Sequence, residues 1–147
     1  YLVSFIALVS RTIVILFVDV ETFKQMIKEN KFVEYTVYNN NYYGSTKDQI
    51  AYDKCVVVDP IGLKSFMDLN DKSIVSFCLK CGEETRRKRM IFRGDKESDI
   101  EKRLINDRQA FDHEKVSMAN YSIDSEHQSL DSIVKEVIDL YKKHLGK

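Results

Sequence analysis

The 147-residue sequence predicts an α/β fold with a mainly parallel sheet. Three observations carry that prediction. Short apolar runs rich in Val, Ile and Phe alternate with longer stretches whose apolar residues recur at helical spacing. The run "CVVVD" is apolar without a break, the mark of a strand buried on both faces. One proline and five scattered glycines leave no long linker, and 44% hydrophobic residues suffice for a core, so residues 1–147 read as one domain.

The elements follow in order. Residues 1–18, "YLVSFIALVSRTIVILFV", are apolar, but Ser10-Arg11-Thr12 interrupts them. A membrane span needs about 20 apolar residues in a row, so two buried strands are expected and no membrane partner. No small-residue cleavage site of a signal peptide follows. The chain starts at Tyr1 rather than Met, and a sequence incomplete at its front is expected. "VETFKQMIKEN" predicts a helix, with Phe23, Met26 and Ile27 at helical spacing. "KFVEYTVY" alternates like a strand. "NNNYYGSTKD", dense in polar groups, reads as a turn made by Gly44 and the asparagines. "STKDQIAYD" predicts a short helix capped near Ser45 or Thr46. After the strand "CVVVD" come a helix in "IGLKSFMDL" and a strand in "SIVSFCL". "EETRRKRMIF" predicts a helix with carboxylates at its positive end. "ESDIEKRLINDRQAF" predicts another, "NYSID" a strand, and "SLDSIVKEVIDLYKKHL" a closing amphipathic helix.

Charge and cysteine content narrow the function. Lys+Arg and Asp+Glu number 23 each, a net charge of zero. A general nucleic-acid coat protein would show a basic excess, so no nucleic-acid partner is expected, although a local phosphate-binding patch is allowed. Cys55, Cys78 and Cys81 do not form a disulfide framework, and a reduced, cytoplasmic setting is the default expectation. Cys78-x-x-Cys81 has redox or zinc spacing, but zinc needs about four ligands and no second pair lies near. A buried strand end entering a helix is the plainer reading.

Three features could carry chemistry. Arg86, Arg89 and Arg93 fall at i, i+3 and i+7 of a helix, and Arg103 starts from the next one. Guanidiniums brought together there would suit phosphate oxygens. The plainer alternative is a solvated face whose arginines pair with Glu83, Glu84 and Asp99. Glu34 interrupts an apolar strand and must face solvent or meet a partner. Asp59 ends the buried strand, where α/β ligands bind, or else caps the next helix.

Together, "FVEYTVYNNNYYGSTKD", "VVVDPIG" and "ETRRKRMIFRGDKESDIEKRL" resemble the guanylate kinase family. The family pattern of an apolar pair and Glu, then Y-Y-G-S/T, matches Phe32-Val33-Glu34 and Tyr42-Tyr43-Gly44-Ser45-Thr46. Its Arg-rich helix, Arg-Gly, acidic stretch and basic R-L helix match Arg86–Arg89, Arg93-Gly94, Asp95–Asp99 and Lys102-Arg103-Leu104. The likeness covers Phe17 to Leu145, and three separated motifs agree in order and spacing.

The resemblance implies a three-layer P-loop-type fold. It further implies a small GMP-binding subdomain over about 10–52 and a helical lid over about 83–112. It implies transfer of the ATP γ-phosphoryl group to GMP, with Mg²⁺, in purine nucleotide metabolism. Glu34 would then meet the guanine N1 and exocyclic amine, Ser45 the guanine O6, Tyr43 the GMP phosphate, and Asp59 the amine side near the reaction centre. Arg89, Arg93 and Arg103 would face ATP and the transferring phosphates.

There are departures. No G-x-x-x-x-G-K-S/T loop occurs in the 147 residues, so little turnover is expected from this chain as it stands. The family's S-x-T-T-R-x-x-R-x-G-E segment is echoed only by Ser10-Arg11-Thr12, Ile15 stands where a Tyr would fall, and Asp124 replaces the adenine-side Asn. Three readings stay open: a kinase whose front lies outside this sequence, a divergent member without catalysis, or a module binding a phosphorylated peptide or nucleotide. The first is preferred, because the GMP-side residues and the lid arginines occur together. The oligomeric state is open, a homodimer included.

Overall fold

The computed structural model describes residues 17–38, 41–50, 55–111 and 117–146. The strands expected in the first 16 residues, and the Ser10-Arg11-Thr12 echo, lie outside them.

Helix α1 (Val20–Lys28) starts where Asp19 accepts hydrogen bonds from the Thr22 amide at 2.8 Å and its hydroxyl at 2.9 Å. It ends at Asn30, in the left-handed region at φ 53°, a conformation Asn tolerates better than most residues. Strands β1 (Phe32–Tyr38) and β2 (Asn41–Thr46) follow as an antiparallel hairpin. The polar stretch read as a turn is therefore mostly strand: Tyr42, Tyr43, Gly44 and Ser45 each have a β1 partner. Of the predicted short helix, the described residues form one 3-10 turn, Lys47–Gln49.

One irregularity sets the faces of this hairpin. Phe32 opposes Thr46 and Glu34 opposes Ser45, so Val33 is an extra residue in β1. In a regular strand Phe32 and Glu34 would share a face. The bulge separates them. Phe32 joins an aromatic cluster with Phe23 of α1, at 4.4 Å between ring centroids, and with Tyr35 at 6.1 Å. Tyr42 completes it, 5.3 Å from Phe23. Gly44 makes this closeness possible, because a Cβ there would lie 2.8 Å from Phe32 Cδ1 and 2.9 Å from the Glu34 carbonyl oxygen. Gly44→Ala is expected to destabilise the protein by about 1–3 kcal/mol, the usual cost of overpacking, measured as a lowered urea midpoint.

Residues 55–59 are not in a strand. Val58 is buried but Val57 is 67% exposed, which corrects the expectation of a strand buried on both faces. A strand needs a neighbour to pair its backbone, and among the described residues none pairs here. Asp59 then caps α2 (Pro60–Met67), accepting from the Gly62 amide at 2.8 Å, with Pro60 in the first turn.

Strand β3 (Phe77–Lys80) pairs parallel with β4 (Tyr121–Asp124). Between them run α3 (Glu83–Arg93) and α4 (Glu97–Ala110), and α5 (Leu130–His144) follows β4. Successive β3 side chains face opposite ways. Phe77 packs with Ile123 of β4 and with Ile133 and Val137 of α5. Cys78 packs with Val58 and Leu63 of α2. Helices α2 and α5 thus cover opposite faces of this sheet. The architecture is α/β; among the described residues the strands form one antiparallel and one parallel pair, so the mainly parallel sheet of the sequence reading is seen here in β3–β4 alone.

Helices α3 and α4 form their own unit. Met90, Ile100 and Leu104 pack between them. Gly94 turns the chain from one to the other at φ 88°, a conformation natural to glycine. Arg86 donates to Asp107 at 2.5 Å; Arg86 is buried and Asp107 partly so. Among the described residues no helix is long and apolar enough to cross a membrane.

Candidate functional site

Cross-strand partners share a face of a hairpin. Glu34 opposes Ser45 and Thr36 opposes Tyr43, so these four side chains stand on the face away from the aromatic cluster. The bulge at Val33 is what puts Glu34 there. Helix α2 closes the site from the side. Its Gly62 lies beside the Glu34 stem: an added Cβ would sit 3.4 Å from Glu34 Cγ, an ordinary contact, but 2.9 Å from Val58 Cβ. A cavity of about 320 Å³ results, with Asn30, Glu34, Thr36, Asp59, Ile61 and Ser65 in its lining. That is the low end of the range for small-molecule sites, about 300–1,000 Å³.

The electrostatics fit a ligand that donates hydrogen bonds. Ser45 Oγ donates to Glu34 Oε1 at 2.7 Å. Burial pushes the Glu34 carboxyl above its usual range; the Ser45 bond opposes this, and the nearby Asp59 charge adds to it. A carboxylate accepts about four hydrogen bonds, so Glu34 retains capacity for N–H donors. Asp59 serves as helix cap and neighbouring charge at once, so the two roles open in the sequence are compatible. Tyr43 is 52% exposed and lies two residues from Ser45 on the same face, a separation of about 7 Å.

The arginines gather less closely than their spacing suggests. Arg86, on the predicted shared face, is 8% exposed and turned to α4, while Arg89 and Arg93 are exposed. Arg89 Nη2 donates to the Ser125 carbonyl at 2.7 Å, tying α3 to the end of β4. Arg93 pairs with Asp95, whose carboxyl it holds below the usual range, with the Arg103 charge assisting. Arg93 and Arg103 therefore converge on one acid. Arg87 pairs with Glu97 and Glu101, Lys88 with Glu84, and Arg108 with Glu83. Much of the basic run is thus the paired, solvated surface that was the plainer alternative. Cys78 and Cys81 are buried free thiols at a strand end, and no metal-binding group of three or more His, Cys, Asp or Glu occurs among the described residues.

Sequence reasoning missed Thr36 and Asn30. Thr36 had a signal, because it stands two residues after Glu34 in an alternating strand. Asn30 had none, since only the positive φ at the helix end brings it to the cavity.

Comparison with known proteins gives the family of the chain. Residues 15–139 match the family model for guanylate kinase. A guanylate kinase of Prochlorococcus marinus is 29% identical over 141 residues, covering 86% of this chain and 70% of that protein. One from Hydrogenovibrio crunogenus is 31% identical over 127 residues, covering 80% and 62%. One from Helicobacter pylori is 32% identical over 97 residues, covering 61% and 47%. The chain thus spans between about half and seven tenths of the length of these relatives. A match across most of the chain, on the segment that builds the hairpin, the α2 cap and the α3–α4 unit, makes this protein a member of the guanylate kinase family.

Proposed function

We propose that the protein transfers the γ-phosphoryl group of ATP to GMP, giving ADP and GDP. The observation that carries this reading is Glu34, which lines a cavity shared with Asp59 and accepts a hydrogen bond from Ser45. Guanine presents N1–H and an exocyclic amine on one edge, beside a carbonyl. Glu34 accepts the two N–H groups. The Ser45 hydroxyl, which donates to Glu34 in the free protein, rotates to donate to O6. Each hydrogen bond lost is replaced, and Glu34 gains charge-assisted donors. Adenine offers a lone pair at N1 instead, which faces the carboxylate unfavourably.

In this reading residues 10–52 hold the nucleoside monophosphate and 83–112 act as the lid. Tyr43 bonds the GMP phosphate, and Arg89, Arg93 and Arg103 neutralise the phosphates during transfer. Phosphoryl transfer needs mainly positioning and charge stabilisation, so arginines suffice on the lid side. They must first leave their partners in the free protein, Ser125 and Asp95. Mg²⁺ would accompany ATP and neutralise its phosphates; the described residues supply no ligand cluster for it. Titration calorimetry is expected to show GMP bound at least about 100-fold more tightly than AMP. Equal affinities would remove the base-recognition claim.

The engagement of Arg89 and Arg93 favours a second reading, a module that binds a phosphorylated peptide or nucleotide without turnover. A coupled assay of GMP-dependent ADP release separates the two. Turnover establishes the kinase, and GMP binding without turnover favours the module only in a chain that also carries a phosphate-binding loop, which these 147 residues lack.

A further inference from the structure

The hairpin face has two rungs of different chemistry. The first, Glu34 opposite Ser45, pairs a carboxylate with a hydroxyl. The second, Thr36 opposite Tyr43, pairs two hydroxyls. Directly opposed side chains have Cβ atoms about 4.5–5.5 Å apart, and successive same-face rungs are about 7 Å apart. Thr36 is exposed and lines the same cavity as Glu34 and Asp59, so its hydroxyl is accessible to whatever occupies that space. Its alternation with Glu34, undisturbed beyond the bulge, keeps it off the aromatic face. Two neutral O–H donors on one rung suit the oxygens of a phosphate monoester, each donor taking one oxygen.

We infer that Thr36 is a second hydroxyl donor to the phosphate of the bound nucleoside monophosphate, acting beside Tyr43 on the rung next to the base-reading pair. The inference rests on the GMP-binding reading above and deepens it. A ligand whose base edge meets Glu34 and Ser45 runs along the hairpin toward Tyr43, and Thr36 is the side chain facing Tyr43 across that path. The pair fixes the phosphate from both strands, which holds it in one register relative to the base.

The test is calorimetric titration of GMP and of guanosine into the wild-type chain, Thr36→Val and Thr36→Ser, with a thermal melt of each. Thr36→Val keeps the shape and β-branching of the side chain and removes only the donor. Its affinity for GMP is expected to fall about tenfold, in line with a hydrogen bond to a charged group. Guanosine affinity should stay unchanged, and Thr36→Ser should hold GMP within about twofold of wild type. An equal loss for GMP and guanosine, or no loss in Thr36→Val, overturns the assignment while leaving the GMP reading in place. Failure of the wild-type chain to prefer GMP over AMP overturns that underlying reading instead.

Discussion

Replacing Glu34 with Gln is expected to weaken GMP binding by about 100-fold or more and to make the protein more stable at neutral pH. The binding loss follows from chemistry. A glutamine amide can accept from one guanine N–H, but its own NH₂ then faces the second donor. The stability gain follows from the direction of the Glu34 shift. Burial raises its carboxyl above the ordinary 4.5, so the folded protein holds this proton more tightly than the unfolded chain does. The contribution of Glu34 to stability is largest at acid pH and is lost as pH rises from 4.5 through the raised folded value. Above the folded value the penalty is present in full, and the neutral amide removes it. Melting temperatures at pH 7 and pH 4 check this. The variant should exceed wild type at pH 7, and the gap should narrow at pH 4. A less stable variant at pH 7 would show that the Ser45 bond outweighs burial.

Asp107→Ala is expected to cost about 3–5 kcal/mol, the usual result of leaving one member of a buried ion pair alone. Arg86 would then lie buried between α3 and α4 without its 2.5 Å partner. The pair itself is a poor source of stability. Burial raises the Asp107 carboxyl despite the charges of Arg86 and Arg103 beside it, so desolvation exceeds their attraction. Arg86 Nε is in addition buried without a hydrogen-bond partner among the described residues. The double variant Arg86→Met, Asp107→Leu should therefore recover most of the loss. Urea denaturation of the two single variants and the double one decides this. A double variant as unstable as Asp107→Ala would assign the pair a stabilising role that burial does not outweigh.

Local patterns made several parts legible from sequence. Helices α1 to α5 and strands β1, β3 and β4 could be read from periodicity, whereas β2 was read as a turn. Glu34 was conspicuous as a charge inside an apolar strand, and Asp59 as an acid before Pro60. The arginines show where spacing stops being informative. Arg86, Arg89 and Arg93 share a helical face on paper, yet one is buried against α4 and two are exposed. Which of them meets a neighbour depends on where α4 packs, and α3's own residues do not specify that. "CVVVD" misled for a related reason. An apolar run states that burial is wanted, and whether a strand pairs with it depends on residues elsewhere.

The sequence by itself determined the family, most of the elements and the residue types of the candidate site, because those rest on local spacing and on motifs that agree along the chain. Tertiary structure alone decided that Glu34 and Ser45 touch. An extra residue at Val33 turns Phe32 toward α1 and Glu34 the other way. Gly44 leaves room for that ring, and Gly62 leaves room for Val58 beside the Asp59 cap. Each of these is a contact fixed by which atoms exclude one another. A linear pattern records residue types and spacings, and those exclusions arise only once the chain has folded.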